Sequence, residues 1–104
     1  MVTIPQQGDI WWAEIQSARR PVLVVTRSEA VSVLTGVVVA PVTRTIRSIP
    51  TEIQLGTEEG LTTECVANFD SLQRIQRAAL TAKIGELGIR ATEICHALRM
   101  MSDC

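Results

Sequence analysis

The stretch RRPVLVVTRSEAVSVLTGVVVAPVTRTIR, residues 19–47, decides the fold of this chain. It contains two strongly apolar runs, residues 21–25 and 37–42, and each run has arginine-rich sequence at one end. If the runs form neighbouring antiparallel strands, the start of the first lies beside the end of the second. This arrangement predicts that Arg20 and Thr43 lie at the same rim of a sheet. A guanidinium and a hydroxyl at one rim are suited to holding a phosphate.

Length and composition indicate a small globular protein. The chain has 104 residues, of which 46% are hydrophobic. This is enough to bury one core without disulfide bonds or a structural metal ion. We therefore expect a single domain over residues 1–104. No apolar run approaches the length of a membrane span, and the first residues lack the basic-then-apolar order of a signal peptide. These features predict a cytoplasmic protein with no membrane partner.

The cysteines argue against a disulfide framework or a zinc site. Cys65, Cys95 and Cys104 are odd in number and include no Cys-x-x-Cys pair. We expect two small buried thiols, at Cys65 and Cys95, and one free thiol at the C-terminus. No metal site is predicted.

The basic residues are unusual in kind rather than in number. Lysine and arginine together number 10 against 11 acidic residues, so net charge alone does not indicate a nucleic-acid binder. All but Lys83 are arginines, whose planar fork suits phosphate better than the point charge of lysine. A codon bias toward arginine would give the same composition.

Hydrophobic patterning predicts a mainly β chain that ends in a helix. Alternation and apolar runs predict strands over residues 10–15, 21–26, 37–43, 50–55, 64–69 and 83–87.

The connections between these strands are predicted from their polar composition. Residues 16–20 are expected to be a short polar connection, and residues 30–34 a single helical turn. Gly88 is a candidate N-cap for an amphipathic helix. Residues 71–80 are ambiguous, because their apolar positions fit a helical period between two strong strands.

The helix after Gly88 is predicted from apolar residues at helical spacing: Ala91, Ile94, Cys95, Leu98 and Met101.

The two neighbouring tryptophans have different expected roles. Trp11 shares a strand face with Ala13 and Ile15, which predicts a core position. Trp12 shares its face with Glu14. It is either a stacking platform for an unpaired base or a contact in the core or in a dimer.

Four segments together resemble the MazF/PemK/Kid toxins, the toxin halves of bacterial type II toxin–antitoxin pairs. They are GDIWWAEI at residues 8–15, RPVLVV at 20–25, VAPVT at 39–43 and IGEL at 84–87. The resemblance implies an SH3-like barrel with a C-terminal helix, the CcdB/MazF-like toxin fold, working as a homodimer. For the ambiguous segment it implies a strand over residues 72–75 followed by one helical turn.

The resemblance also implies an activity and a partner. The family consists of sequence-specific endoribonucleases that cut single-stranded RNA, chiefly mRNA, without a metal or other cofactor. The expected partner is a MazE-like antitoxin whose disordered tail folds into the RNA groove.

The family's key catalytic pair corresponds to Arg20 and Thr43. Metal-free RNA cleavage uses the 2′-hydroxyl to attack the neighbouring phosphate, leaving a cyclic phosphate and a free 5′-hydroxyl. Arg20 would clamp the scissile phosphate and neutralise developing charge, while Thr43 would donate a hydrogen bond to a phosphate oxygen. The general base is not identified. His96 is expected to be a surface or packing residue.

The remaining RNA-binding candidates, besides Trp12, are polar or charged residues near the predicted rim: Arg19, Arg44, Arg47, Asn68 and Asp70. The arginines would bind flanking phosphates, or they lie in solvated segments. Asp70 would orient Arg20 or contact a base edge, or it is a plain turn or salt-bridge residue. Asn68 would read a base, or it makes a strand-end hydrogen bond.

The chain departs from the family pattern between its first two strands. Many members carry a longer Gly/Ser-rich loop there, whereas this chain has only residues 16–19. Two other functions suit the same fold: a non-catalytic, CcdB-like gyrase inhibitor and an SH3-like interaction module. The Arg20/Thr43 pair favours the nuclease, because a gyrase binder does not need it.

Overall fold

The computed structural model describes residues 4–31, 33 and 35–101, and within these residues the chain forms seven β-strands and two α-helices. The strands are β1 (Asp9–Ile15), β2 (Ala18–Val24), β3 (Gly36–Thr43), β4 (Glu52–Leu55), β5 (Cys65–Asn68), β6 (Gln73–Gln76) and β7 (Leu80–Glu86). The helices are α1 (Ser28–Val31) and α2 (Thr92–Met101). The predicted mainly β chain with a C-terminal helix is confirmed. None of the described helices is long and apolar enough to cross a membrane.

The strands form one antiparallel sheet in the order β4-β5-β3-β2-β1-β7, with β6 also paired to β3. The two apolar runs that organise the sequence are neighbours, as predicted. Their register pairs Val22 with Pro41 and Val24 with Val39. The run in β2 is buried on both faces of the sheet, which explains why it is continuously apolar rather than alternating.

The connection between β1 and β2 is shorter than predicted. Gln16 and Ser17 have φ angles of 50° and 65°, and Ile15 pairs directly with Ala18. Two consecutive positive φ angles in a two-residue hairpin are typical of a type I′ turn. The predicted connection over residues 16–20 is therefore wrong, because the turn needs only two residues.

The tight turn places two arginines inside a strand. Arg19 pairs with Glu14, and Arg20 pairs with Ala13. Both arginine side chains are exposed, while Ala13 is completely buried. The backbone of each arginine is thus fixed by a sheet ladder rather than by a loop.

The core consists of two clusters on the two sides of the sheet. One contains Phe69 with Ile94 and Ala97 of α2. The other contains Trp11 and Val31 of α1. Trp11 is 5% exposed, so its predicted core position is confirmed.

Several boundaries differ from the predictions. β7 begins at Leu80 instead of residue 83, and α1 lies over Ser28–Val31 instead of residues 30–34, of which Ser32 and Leu34 are outside the described residues. β6 is followed by a 3-10 turn over Arg77–Ala79, as the family resemblance implied for the ambiguous segment. β4 begins at Glu52 instead of residue 50, and Thr51, Ile53 and Leu55 of this segment are buried.

Two predictions about the C-terminal segment are wrong. Gly88, with φ of 61°, opens a 3-10 turn, and α2 begins only at Thr92, so Gly88 does not cap the helix. Cys95 is exposed, because this short helix buries only a narrow stripe that includes Ile94. Cys65 is buried as predicted, and Cys104 lies outside the described residues.

A polar network fixes the loop after β4 to the start of α2. The Glu59 carboxylate accepts a hydrogen bond from the Gly56 N–H at 2.7 Å and pairs with Arg90 Nη1 at 3.1 Å. Arg90 Nε also donates to Glu93 at 2.7 Å, and Arg90 Nη2 donates to the Gln54 carbonyl at 2.7 Å. The hydrogen bond between Arg90 and Glu93 raises the pKa of Arg90 and lowers the pKa of Glu93. The network therefore holds the 3-10 turn at Thr57–Glu59 in place.

The same loop approaches β7 so closely that Gly85 is required there. A Cβ atom at Gly85 would lie 1.9 Å from the Glu59 carbonyl oxygen. Because that obstacle is backbone, Gly85→Ala is expected to lower the free energy of unfolding by about 1–3 kcal/mol, the usual cost of overpacking. Urea denaturation of both proteins measures this difference.

Gly56→Ala is the matched control for Gly85→Ala. A Cβ at Gly56 would meet nothing within 4 Å, and its φ of −170° suits any residue. Its free energy of unfolding should change by less than about 0.5 kcal/mol. Equal stability of the two variants would show that the close approach at Gly85 does not constrain the fold.

Candidate active site

Arg20 lies in β2, and Thr43 is the last residue of the neighbouring antiparallel strand β3. The paired residues end at Val22 and Pro41, and extending this register outward by two residues would bring Arg20 opposite Thr43. In an antiparallel ladder, two residues that lie directly opposite each other point to the same face of the sheet. Thr43 is the last residue of β3, and it pairs with Val66 of β5 on the other edge of that strand. The sheet therefore brings the two strand ends to one rim.

The hydroxyl of Thr43 retains its capacity to donate. Thr43 Oγ1 accepts a hydrogen bond from the Thr45 N–H at 3.2 Å. A hydroxyl that accepts in this way still has its own O–H available for another acceptor. The turn after β3 thus orients the Thr43 oxygen without consuming its proton.

The arginines near this rim are not neutralised by the carboxylates that the structure describes. The ion pairs among the described residues involve only Lys83 and Arg90. The arginines in question are Arg19, Arg20, Arg44 and Arg47. Guanidinium groups without a carboxylate partner present unused donors to an anion.

A cavity of about 330 Å³ adjoins the rim. Trp12 and Pro21, which face each other across the β1–β2 ladder, form one wall together with Val42. Thr43 and Arg44 also line this cavity. Trp12 is half-buried, and it lines the same cavity as Thr43, the predicted catalytic threonine.

Arg19 lies against Trp12. Its guanidinium carbon is 4.7 Å from the centroid of the Trp12 ring, a cation–π arrangement. Trp12 lines the cavity, and Arg19 contacts its ring. The stacking role of Trp12 stays a prediction.

Residues from the loop after β4 complete the cavity, and sequence analysis missed them. They are Gly60, Leu61, Thr62 and Thr63, together with Ile84 of β7. Nothing in the local sequence pattern indicates that this loop reaches the rim. It does so because its turn packs against β7 at Gly85.

Cys65 also lines the cavity, but its thiol is suited to packing rather than to reaction. Burial raises the pKa of Cys65, and the negative charge of Glu59 raises it further, while Arg44 has a smaller opposing effect. A thiol with a raised pKa is protonated at neutral pH and is a poor nucleophile.

Asn68 and Asp70 both have structural partners. The Asn68 side-chain oxygen accepts from the Asp70 N–H at 2.9 Å, which caps the 3-10 turn over Phe69–Ser71. Asp70 accepts from the Thr51 hydroxyl at 2.8 Å. Among the described side chains no ion pair joins Asp70 to Arg20. These contacts match the structural alternatives, and the RNA-binding roles stay predictions.

The segment after β3 is held by a carboxylate. Glu52 Oε1 accepts from the backbone N–H groups of Arg47 at 2.9 Å and Ser48 at 3.1 Å. This fixes the backbone at Arg47 and leaves its side chain exposed.

His96 is exposed on α2 and lines a separate surface depression with Arg90 and Glu93. Within the described parts of the chain, no group of three or more His, Cys, Asp or Glu side chains is placed to hold a metal ion.

The molecule is thus a small antiparallel β protein that carries arginine and threonine at one rim of its sheet. Residues 6–101 match the model of a family described as PemK-like, MazF-like toxins of type II toxin–antitoxin systems. The chain belongs to this family.

Related proteins cover nearly the whole chain. A probable endoribonuclease MazF5 of Mycobacterium tuberculosis H37Rv is 36% identical over 107 residues, covering 100% of this chain and 98% of the relative. A probable endoribonuclease MazF2 of the same strain is 35% identical, covering 95% of this chain and 99% of the relative.

Solved structures share the fold. The Mycobacterium tuberculosis toxin MazF-mt6 aligns with a TM-score of 0.81 and 31% identity, covering 92% of this chain and 99% of that one. A mycobacterial endoribonuclease solved in complex with its cognate antitoxin aligns with a TM-score of 0.78 and 25% identity, covering 92% of each chain. The predicted MazF-like toxin fold is thus confirmed.

Proposed function

We propose that this protein is the toxin of a type II toxin–antitoxin system and cleaves single-stranded RNA, chiefly mRNA, at specific sequences. The observation that carries the proposal is the antiparallel register of β2 and β3, which pairs Val22 with Pro41 and so directs Arg20 and Thr43 toward the same rim. Exposed arginines and a hydroxyl beside a mostly apolar cavity suit a phosphate with an attached base. Such a site is not needed for a protein that acts only by binding gyrase.

The proposed reaction is transfer of the phosphate within the RNA. The 2′-hydroxyl gives up its proton as its oxygen forms a bond to the adjacent phosphorus, the bond to the 5′-oxygen of the next nucleotide breaks, and that leaving oxygen takes up a proton. The products are a 2′,3′-cyclic phosphate and a 5′-hydroxyl, and no metal or cofactor is required.

Each residue of the pair has a distinct part in this reaction. The Arg20 guanidinium binds two non-bridging oxygens and offsets the charge that develops on them in the transition state. The Thr43 hydroxyl donates to a phosphate oxygen and fixes the phosphorus for in-line attack. The flanking phosphates contact the neighbouring arginines, Arg19, Arg44 and Arg47.

The relatives support this activity rather than the alternatives. The two mycobacterial proteins described above are named endoribonucleases, and each matches this chain over nearly its full length. We therefore assign endoribonuclease activity to this chain in preference to gyrase inhibition or simple protein binding.

We propose a MazE-like antitoxin and a second copy of this chain as protein partners. A relative in the same family was solved with its cognate antitoxin. An acidic antitoxin segment would compete with RNA for the unpaired rim arginines. We further propose that residues 1–104 act as one toxin domain in the cytoplasm, where mRNA is available.

The test is cleavage of a long RNA of known sequence by the purified protein in EDTA, followed by mapping of the new ends. We expect cuts at one recurring short motif, with 5′-hydroxyl and cyclic-phosphate ends. Intact RNA at high protein concentration would contradict the proposed function.

A further inference from the structure

The cavity beside Thr43 has two walls of different origin. The sheet provides Trp12 and Pro21, while the loop after β4 provides Leu61, Thr62 and Thr63. An aromatic ring and aliphatic side chains suit the flat faces of a base, and hydroxyl groups suit its polar edge. The volume of about 330 Å³ is at the lower end of the range for ligand sites, which favours one base over two.

The start of the loop wall, at Gly60 and Leu61, is anchored to the rest of the fold. A Cβ at Gly60 would lie 2.6 Å from the Ile84 carbonyl oxygen, so the loop backbone lies directly on β7. The Leu61 N–H donates to the Gly56 carbonyl at 3.1 Å, and the Glu59–Arg90 ion pair ties the preceding turn to the segment before α2. A wall fixed in this way can discriminate between ligands, because it does not adapt to each of them.

The cavity is also next to the proposed reaction. Thr43 lines it directly. Arg20 does not line it, because alternation along β2 places its side chain on the face of the sheet opposite to that of Pro21. A nucleotide whose phosphate contacts Thr43 at the rim would therefore bring a neighbouring base to the cavity mouth.

We propose that this cavity binds one unpaired base adjacent to the cleaved phosphate, and that Thr62 and Thr63 determine which base is accepted. The inference rests on the proposed function and adds to it a specificity-determining wall. The hydroxyls of Thr62 and Thr63 pair with the edge of the base, while Trp12 stacks against its face.

The first experiment maps the cut motif of the Thr62→Val/Thr63→Val double variant. Valine keeps the branched shape and removes the hydroxyl, and both threonines are exposed, so the fold should be retained. Discrimination at one position next to the cut should fall about tenfold, the usual effect of one or two lost hydrogen bonds. The Thr62→Ser/Thr63→Ser variant should restore it.

Thr57→Val is the matched control, because Thr57 is an exposed threonine in the same loop that does not line the cavity. Its motif should equal that of the wild type. An unchanged motif in the double valine variant, with active wild-type enzyme, would overturn this inference and leave the proposed function intact. Wild-type protein that cuts no RNA would overturn both.

A second measurement detects the base without cleavage. The probe is an oligonucleotide of the mapped motif with a 2′-deoxy sugar at the cut site, which removes the nucleophile and keeps the base. Stacking on Trp12 should quench the tryptophan fluorescence of the wild type, whereas Trp12→Phe, which retains buried Trp11, should show little quenching. Equal quenching in the two proteins would overturn the stacking contact.

Discussion

Arg20→Ala is expected to reduce the rate of RNA cleavage by a factor on the order of 10²–10³ while leaving the protein folded. The guanidinium is the group proposed to offset charge on the pentacoordinate phosphorus, and alanine removes it completely. The fold should persist because the Arg20 side chain is exposed and its backbone is fixed by pairing with Ala13. Single-turnover cleavage of a short RNA containing the mapped motif measures the effect, and circular dichroism reports the fold.

Arg99→Ala provides the matched control for this prediction. Arg99 is an exposed arginine on α2, so its removal changes the net charge equally without altering the rim. Its cleavage rate should be close to that of the wild type. Arg20→Lys should be intermediate, because lysine keeps the charge but loses the bidentate fork. If Arg20→Ala cleaves at the wild-type rate, the assignment of the active site is wrong.

Thr43→Val is expected to lower the cleavage rate about 10²-fold, the lower end of the usual cost of removing one donor to a developing oxyanion. Valine preserves the β-branched shape that suits the end of β3 and removes only the hydroxyl. The lost hydrogen bond from the Thr45 N–H is in an exposed position, so the cost in stability should be about 1 kcal/mol or less.

Two variants accompany Thr43→Val. Thr43→Ser retains the hydroxyl and should keep most of the activity. Thr45→Val removes the hydroxyl of a neighbouring exposed threonine and should cleave normally, because its backbone N–H is unchanged. Equal activity of Thr43→Val and Thr43→Ser would show that the hydroxyl does not contact the phosphate in the transition state.

Much of the sheet could be predicted because its strands have simple patterns. The run in β2 is continuously apolar since core clusters cover both of its faces, and β1 alternates since its two faces differ. The adjacency of these elements then follows from antiparallel pairing. The Arg20–Thr43 hypothesis needed nothing beyond that adjacency and the family resemblance.

The errors occurred where the local sequence lacks the usual signal. Gln16 and Ser17 adopt a turn that normally favours asparagine or glycine, so the local sequence does not indicate a hairpin there. Glycine is a residue type that occurs at helix N-caps, but Gly88 opens a 3-10 turn instead. The loop wall at Leu61 depends on a backbone contact with β7 between residues far apart in sequence, and no local pattern encodes such a contact.

The two-residue turn between β1 and β2 has a consequence for how RNA reaches the protein. With so few residues available at that hairpin, no flap can fold down from it over a bound strand. Encounter and departure should then proceed without a gating rearrangement at this edge, governed by diffusion and by attraction between phosphates and guanidinium groups. We therefore expect the association rate constant to decrease steeply with ionic strength, and we expect no slow isomerisation phase that arises from this hairpin.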